Sequence, residues 1–354
     1  MARPRPTTEA QWAQEGLEAI VDLVSEKLVV PWPEVESRIA HGPWKDFHPV
    51  QPLPLSGARR SLRKEDPPLI IEETSDHPDH PVTTLRVPFN GNKRTIERLR
   101  GARRKLFRRY LSWTGNQAFC GRYAERIVLE SLQGAQTSAG LWVPPQAVGN
   151  VADVEGIPIE PGPLDALAWI LDPASVTRKG ALLVEVKNVR SWLYPWAPEV
   201  WELLVKVAQL ADQINTTALL AAPHIAWPTM QMARDVGFAV VRYNEQLFSP
   251  TIDEDVFAEV VDEFGLTISQ HTGRHPAIET FLNGFLRAGP AGSVFEANTD
   301  WSDQQANRLA LVSPVIMEHR DLAGALDGAT RRGVFQSFKD RLVDVVGWDL
   351  VGGY

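Results

Sequence analysis

The chain has 354 residues, 44% hydrophobic and 23% charged, a balance that suits a soluble globular protein with a substantial buried core. Its single cysteine, Cys120, excludes a disulfide framework and a cysteine-rich zinc site, and fits a reducing cytoplasm. No apolar run approaches the ~20 residues that cross a bilayer, and the N-terminus lacks the apolar core of a secretory signal, so the expected protein is cytoplasmic without a membrane partner. The formal net charge of −8 is unevenly spread: residues 251–354 carry 16 acidic and 8 basic side chains, residues 1–250 carry 28 of each.

Thr8 opens the first expected helix. Gln11 completes a capping box, and Leu17, Ile20, Val21, Val24 and Leu28 form the apolar stripe. Pro31 and Pro33 are expected to end it, with a short helix over Val35–Ala40 beyond. From about Pro43 to Pro88, proline, charge and turn residues predict a mostly irregular connector with one strand at Leu69–Glu72. Inside it, Asp76-His77-Pro78-Asp79-His80 has the residue types of a metal site, but its prolines and polar setting favour a solvated loop. A helix then runs toward Tyr110. Its Lys93–Arg109 segment sets nine basic residues (Lys93, Arg94, Arg98, Arg100, Arg103, Arg104, Lys105, Arg108 and Arg109) against one acid, Glu97. That density is the electrostatic footprint of a phosphate-backbone contact; the same pattern also suits a solvated face balancing an acidic neighbour.

The core follows. Asn116–Leu132 reads as a helix, and short strands are expected near Leu141–Val143 and Val151–Ile159. Two apolar runs, Asp165–Leu171 and Ala181–Lys187, are separated by the turn-rich Asp172-Pro173-Ala174-Ser175 and Lys179-Gly180, which predicts a hairpin. Helix Glu199–Gln213, strand Thr216–Ala222, helix Thr229–Val236 and strand Phe238–Arg242 complete an α/β class with a mixed central sheet flanked by helices. Beyond Pro250 the pattern is helical, at Asp253–Phe264, Ala277–Leu286, Asp303–Val312 and Arg331–Val346, with a turn at Gly289–Gly292. The expected division is an N-terminal extension over 1–110, a core over 111–250 and an acidic helical region over 251–354. The last is expected to dimerise or to contact a protein partner.

Glu185 and Lys187 stand two apart on a strand whose other residues are apolar, so their side chains share a face. A charge buried there is costly unless it is paired or bound to metal. The hairpin brings Asp165 beside Glu185. Two carboxylates and a lysine at a sheet edge suit metal-assisted phosphodiester hydrolysis. In that scheme Asp165, Glu185 and the Val186 carbonyl offer oxygens to Mg²⁺ or Mn²⁺, and Lys187 orients or deprotonates water. A plain salt bridge at the strand's exposed end, with Asp165 capping a strand start, accounts for the same residues.

Pro163-Leu164-Asp165, the Glu185-Val186-Lys187 strand and Glu125 on the preceding helix together resemble the PD-(D/E)XK, or restriction-endonuclease-like, nuclease superfamily over about residues 116–245. The resemblance implies a nuclease core acting on DNA, with Glu125 as an auxiliary metal ligand. It also implies that the helix over Glu199–Gln213 lies across the sheet and brings Lys206 or Gln209 near the site. A nucleic-acid-binding or assembly subunit with the same fold and no catalysis is the alternative. Trp192, Tyr194, Trp196 and Trp201 crowd the segment after Lys187, as a base-stacking platform or as ordinary loop packing.

Overall fold

The computed structural model describes residues 3–42, 44–64, 68–75, 82–90, 92–114, 120–139, 141–144, 148–171, 177–285 and 294–347. In chain order it begins α1 (Glu9–Lys27), β1 (Val29–Pro31), α2 (Trp32–Ala40), α3 (Pro52–Leu62), β2 (Ile71–Thr74), β3 (Thr83–Arg86) and α4 (Lys93–Thr114). Next come α5 (Gly121–Ala139), β4 (Leu141–Trp142), β5 (Val148–Val151), β6 (Asp153–Val154), β7 (Ile157–Pro158), β8 (Leu164–Leu171) and β9 (Arg178–Val186). They are followed by α6 (Pro198–Leu210), β10 (Thr216–Ala222), α7 (Trp227–Val236), β11 (Ala239–Arg242) and β12 (Gln246–Leu247). The last stretch holds α8 (Glu254–Phe264), β13 (Ile268–Ser269), α9 (Pro276–Phe285), α10 (Val294–Glu318), a 3-10 turn at Arg320–Ala323 and α11 (Gly328–Val346). These form two compact units, residues 1–120 with 249–269 and residues 121–248 with 270–354. The acidic stretch after residue 250 is therefore not a region of its own but is divided between the two. The expected Asp76–His80 loop, the turn at Gly289–Gly292, the turn residues Asp172–Ser175 and the start of the Asn116 helix lie outside the described residues.

In the first unit, the Thr8 hydroxyl accepts the Gln11 N–H at 3.2 Å and the Gln11 side chain accepts the Thr8 N–H at 3.1 Å, so the capping box forms. The prolines act differently from the sequence expectation. α1 stops at Lys27, and Leu28 at φ +64° turns the chain into β1, which pairs antiparallel with β3. Pro33 then sits in the first turn of α2, and Pro52 and Pro54 open α3. A first-turn N–H has no intrahelical partner, so proline costs little there. The connector expected to be irregular thus contains a helix and two strands, in a sheet of order β1-β3-β2. Ile20, Leu23, Val24, Val30, Val35, Ile39, Leu55 and Leu85 form its core.

Glu34, fully buried on α2, shapes this unit. Arg38 donates to it from one turn later at 2.8 Å, and Arg103 of α4 reaches its other oxygen while also pairing with Glu263 of α8. Phe107 of α4 meets Phe264 of α8 edge-on at 5.2 Å beside this network. A carboxylate with no water must be compensated by cations. Two guanidiniums do it here.

The second unit is built on a mixed sheet of order β11-β10-β9-β8-β4, with β5 also on β8. β8 and β9 are the expected antiparallel hairpin, and β9–β10 and β10–β11 run parallel. Even-numbered residues of β9 (Leu182, Val184, Val186) pack with Tyr123, Ala124, Ile127 and Val128 of α5. Ala181 and Leu183 point the other way, toward Leu203, Leu204 and Val207 of α6 and toward α10 and α11. Period-two alternation therefore assigns Glu185 and Lys187 to the α6 side.

Removing Arg103 leaves Glu34 buried with half its counter-charge. Arg103→Ala is expected to lose roughly 3–5 kcal/mol in urea unfolding, whereas Arg98→Ala, exposed on the same helix, should stay within about 0.5 kcal/mol. Equal losses in the two variants would contradict this division.

Candidate functional site

The antiparallel register continues from Ala166 opposite Val184, so Asp165 and Glu185 are cross-strand neighbours. The Val186 N–H donates to the Asp165 carboxylate at 2.6 Å. Asp165 thereby serves the strand end where the backbone ladder with β8 stops, the capping role read from sequence. Its other oxygen is not engaged in this bond.

Glu185, 3% exposed, is held from both sides. The Lys187 ammonium lies 2.8 Å from one oxygen and the Lys206 ammonium 2.9 Å from the other. Lys206, buried on α6, also donates to the Pro163 carbonyl at 2.8 Å. Lys187 in turn pairs with Glu202 at 2.9 Å. Glu202 and Lys206 are four apart on α6 and so share a face. The result is a charge relay, Glu202–Lys187–Glu185–Lys206, laid between α6 and β9.

The salt bridge between Glu185 and Lys187 read as an alternative from sequence is present. It is one link of a larger cluster. The sequence reading included Lys206 but missed Glu202, although a buried lysine with a glutamate one turn earlier was its signal.

Burial, the nearby Glu185 and Glu125 push the Asp165 carboxyl from its usual 3.8 up to about 7. Glu125, half-buried on α5, is itself raised by burial and by Glu185, against the lowering pull of Arg122 and Lys187. The structure therefore gathers Asp165, Glu185, Glu125, Lys187 and Lys206 into one electrostatic neighbourhood. Burial alone would lower the Lys187 ammonium, but Glu185 and Glu202 outweigh it and hold it above its ordinary value. In this arrangement Lys187 is a hydrogen-bond donor to Glu202 and an ion-pair partner of Glu185.

Gln209, expected beside these groups, is committed elsewhere. Its amide donates to the Glu160 carbonyl at 2.8 Å and accepts the Glu160 N–H at 3.0 Å, clamping that segment to α6. Among the described residues no group of three or more His, Cys, Asp or Glu side chains is arranged to hold a metal ion. Of the aromatics after Lys187, Trp201 is buried against Phe338 with its N–H on the Pro195 carbonyl, and Trp196 packs on Phe335. These two are packing residues. Trp192 stacks on His224, and Tyr194 on Trp196, both half-buried.

The basic segment, on α4 in the other unit, does not act as one surface. Arg103 is buried in the Glu34 network. Arg104 donates to Thr84 at 2.9 Å, Arg100 pairs with Glu73, and Arg109 meets Glu259 at 3.0 Å. Arg103 is thus engaged inside the unit, Arg104 is held against β3, and the Arg109–Glu259 pair is exposed at the surface. Lys93, Arg94, Arg98 and Lys105 are exposed, and Arg108 is half-exposed.

Comparison of the chain with protein-family profiles, curated proteins and solved structures returns no match.

Ionising Asp165 carries a cost in the folded state. Because its folded pKa is raised, the folded chain holds this proton where the unfolded chain has lost it, and stability falls as pH rises from about 4 to about 7. Asp165→Asn, which keeps an acceptor for the Val186 N–H, is expected to flatten that fall in thermal denaturation between pH 4.5 and 7.5. An identical pH profile for the two proteins would contradict the assignment.

Proposed function

We propose that the second unit is a metal-dependent nuclease of the PD-(D/E)XK type that hydrolyses phosphodiester bonds in DNA. One observation carries the reading. Asp165 and Glu185 face each other across the hairpin, and Glu185 and Glu125 add to burial in raising the Asp165 carboxyl. Crowded carboxylates of this kind mark functional sites more often than structural ones. Their oxygens are hard donors of the kind Mg²⁺ or Mn²⁺ takes, and holding an ion requires them to move, since no three such side chains among the described residues are arranged around one point.

Asp165 and Glu185, with the Val186 carbonyl, would hold the ion, and Glu125 would support it directly or through water. A bound divalent cation supplies charge stabilisation at the scissile phosphate and a water of lowered pKa. The chain's own residues do the positioning. Lys187, kept protonated by Glu185 and Glu202, offers N–H donors to a water or a phosphate oxygen and stabilises negative charge developing there. Lys206 fixes Glu185 and the Pro163 carbonyl, and so sets where the two strand carboxylates stand. Loading the site requires Glu185 to exchange part of its lysine pairing for the cation.

That pairing also favours a second reading. Both Glu185 oxygens are engaged, so the cluster as it stands is a satisfied relay that would serve a catalytically inactive nucleic-acid-binding or assembly subunit equally well.

Purified protein is expected to cut DNA with Mg²⁺ or Mn²⁺ and to stop when EDTA is added. Lys187→Ala should lower the rate roughly 10²–10³-fold, and Asp165→Ala should abolish cutting, both with unchanged circular dichroism. Cutting that persists in both variants would remove this site assignment. A wild-type protein inert with either metal would favour the inactive subunit.

A further inference from the structure

α4 has two sets of cations. Arg100, Arg103, Arg104 and Arg109 are bound to Glu73, Glu34, Glu263, Thr84 and Glu259 within the first unit. Arg94, Arg98, Lys105 and Arg108 make no ion pair among the described residues. Together with Gly101 they stand at intervals of four, three, four and three. At 3.6 residues per turn this puts all five positions within an arc of about 80° and along about 21 Å of helix. The arc lies opposite Ile96, Arg103, Phe107 and Tyr110, which are buried.

Such a stripe costs the helix energy. Arg94 and Arg98 are like charges at i,i+4, which repel. A glycine in mid-helix costs about 1 kcal/mol relative to alanine. A Cβ built at Gly101 meets nothing within 4 Å, so packing inside the unit does not require the glycine. Both costs are accounted for if a polyanion lies along the stripe: it neutralises the row, and the missing side chain at the midpoint lets it approach the helix backbone. Three of the four cations are arginines, whose planar forks match phosphate oxygens two at a time. Beside them Thr95, Ala102 and Ser112 are small and exposed, with no large apolar anchor for a lipid surface, and Glu97, the one acid, stands exposed at the edge of the stripe.

We infer that Arg94, Arg98, Lys105 and Arg108 form a phosphate-contact surface for the backbone of duplex DNA, binding without base readout. The nuclease reading enters only in choosing DNA as the polyanion.

The test is binding in EDTA, where no cutting occurs. Fluorescence anisotropy with a labelled duplex of arbitrary sequence, across a salt series, should give a linear plot of log affinity against log salt. Arg94→Ala/Arg98→Ala/Lys105→Ala should make the slope shallower by about 2.7, at ~0.9 per lost phosphate contact, and weaken binding at least tenfold, with an unchanged melting temperature. Arg234→Ala/Arg332→Ala, which removes exposed cations elsewhere, should change neither. An unchanged slope in the triple variant would overturn the inference, as would wild-type binding to anionic vesicles or poly-glutamate but not to the duplex. Asp165→Ala should bind as wild type does. Binding without metal-dependent cutting would therefore count against the nuclease reading alone, and cutting with an unaltered KM in the triple variant against this inference alone.

Discussion

A carboxylate removed from water has to be given cations, and this protein meets that constraint once in each unit. In the second, Glu185 lies inside the sheet with Lys187 on one oxygen and Lys206 on the other. In the first, Glu34 has no exposed surface and is gripped by Arg38 and Arg103. Each of these acids ties together segments apart in sequence, because one of its two cations, Lys206 for Glu185 and Arg103 for Glu34, comes from another element. Packing of α6 on the sheet and of α4 on α2 is accordingly electrostatic at its centre and apolar around it.

The two cases differ in what surrounds them. Around Glu34 two arginines from the same unit balance the carboxylate. Around Glu185 two further acids, Asp165 and Glu125, remain, and burial first, then the neighbouring Glu185, raises both against the lowering pull of Lys187. Three acids stand near two lysines here, whereas two guanidiniums grip the single carboxylate of Glu34. That difference is the basis for reading the cluster as chemistry.

The hairpin, the mixed sheet and the pairing of Asp165 with Glu185 were legible because alternation and apolar runs report burial directly. Strand Thr216–Ala222 was legible for the same reason and coincides with β10. The region before residue 90 was not, because proline reads as a breaker unless its place in a helix is known. Pro33, Pro52 and Pro54 start helices, and β3 offers only four residues of pattern. The Glu160 contacts of Gln209 were not legible because helical spacing gives a face but not a rotamer. The basic segment was legible as charge but not as two populations. That distinction depends on acids 27 to 160 residues away in the chain, among them Glu34 and Glu263, which local sequence cannot pair with it.

Lys206 joins three pieces of the second unit: the helix that carries it, the Glu185 strand and the Pro163 carbonyl just ahead of Asp165. Gln209, one turn on, fastens Glu160 in the same loop. The acids therefore acquire their mutual placement only when α6 is seated. During folding, a chain whose hairpin has formed but whose α6 has not docked has the carboxylates without the scaffold that spaces them. The carboxylate cluster thus takes its native spacing only as the unit closes into its native topology.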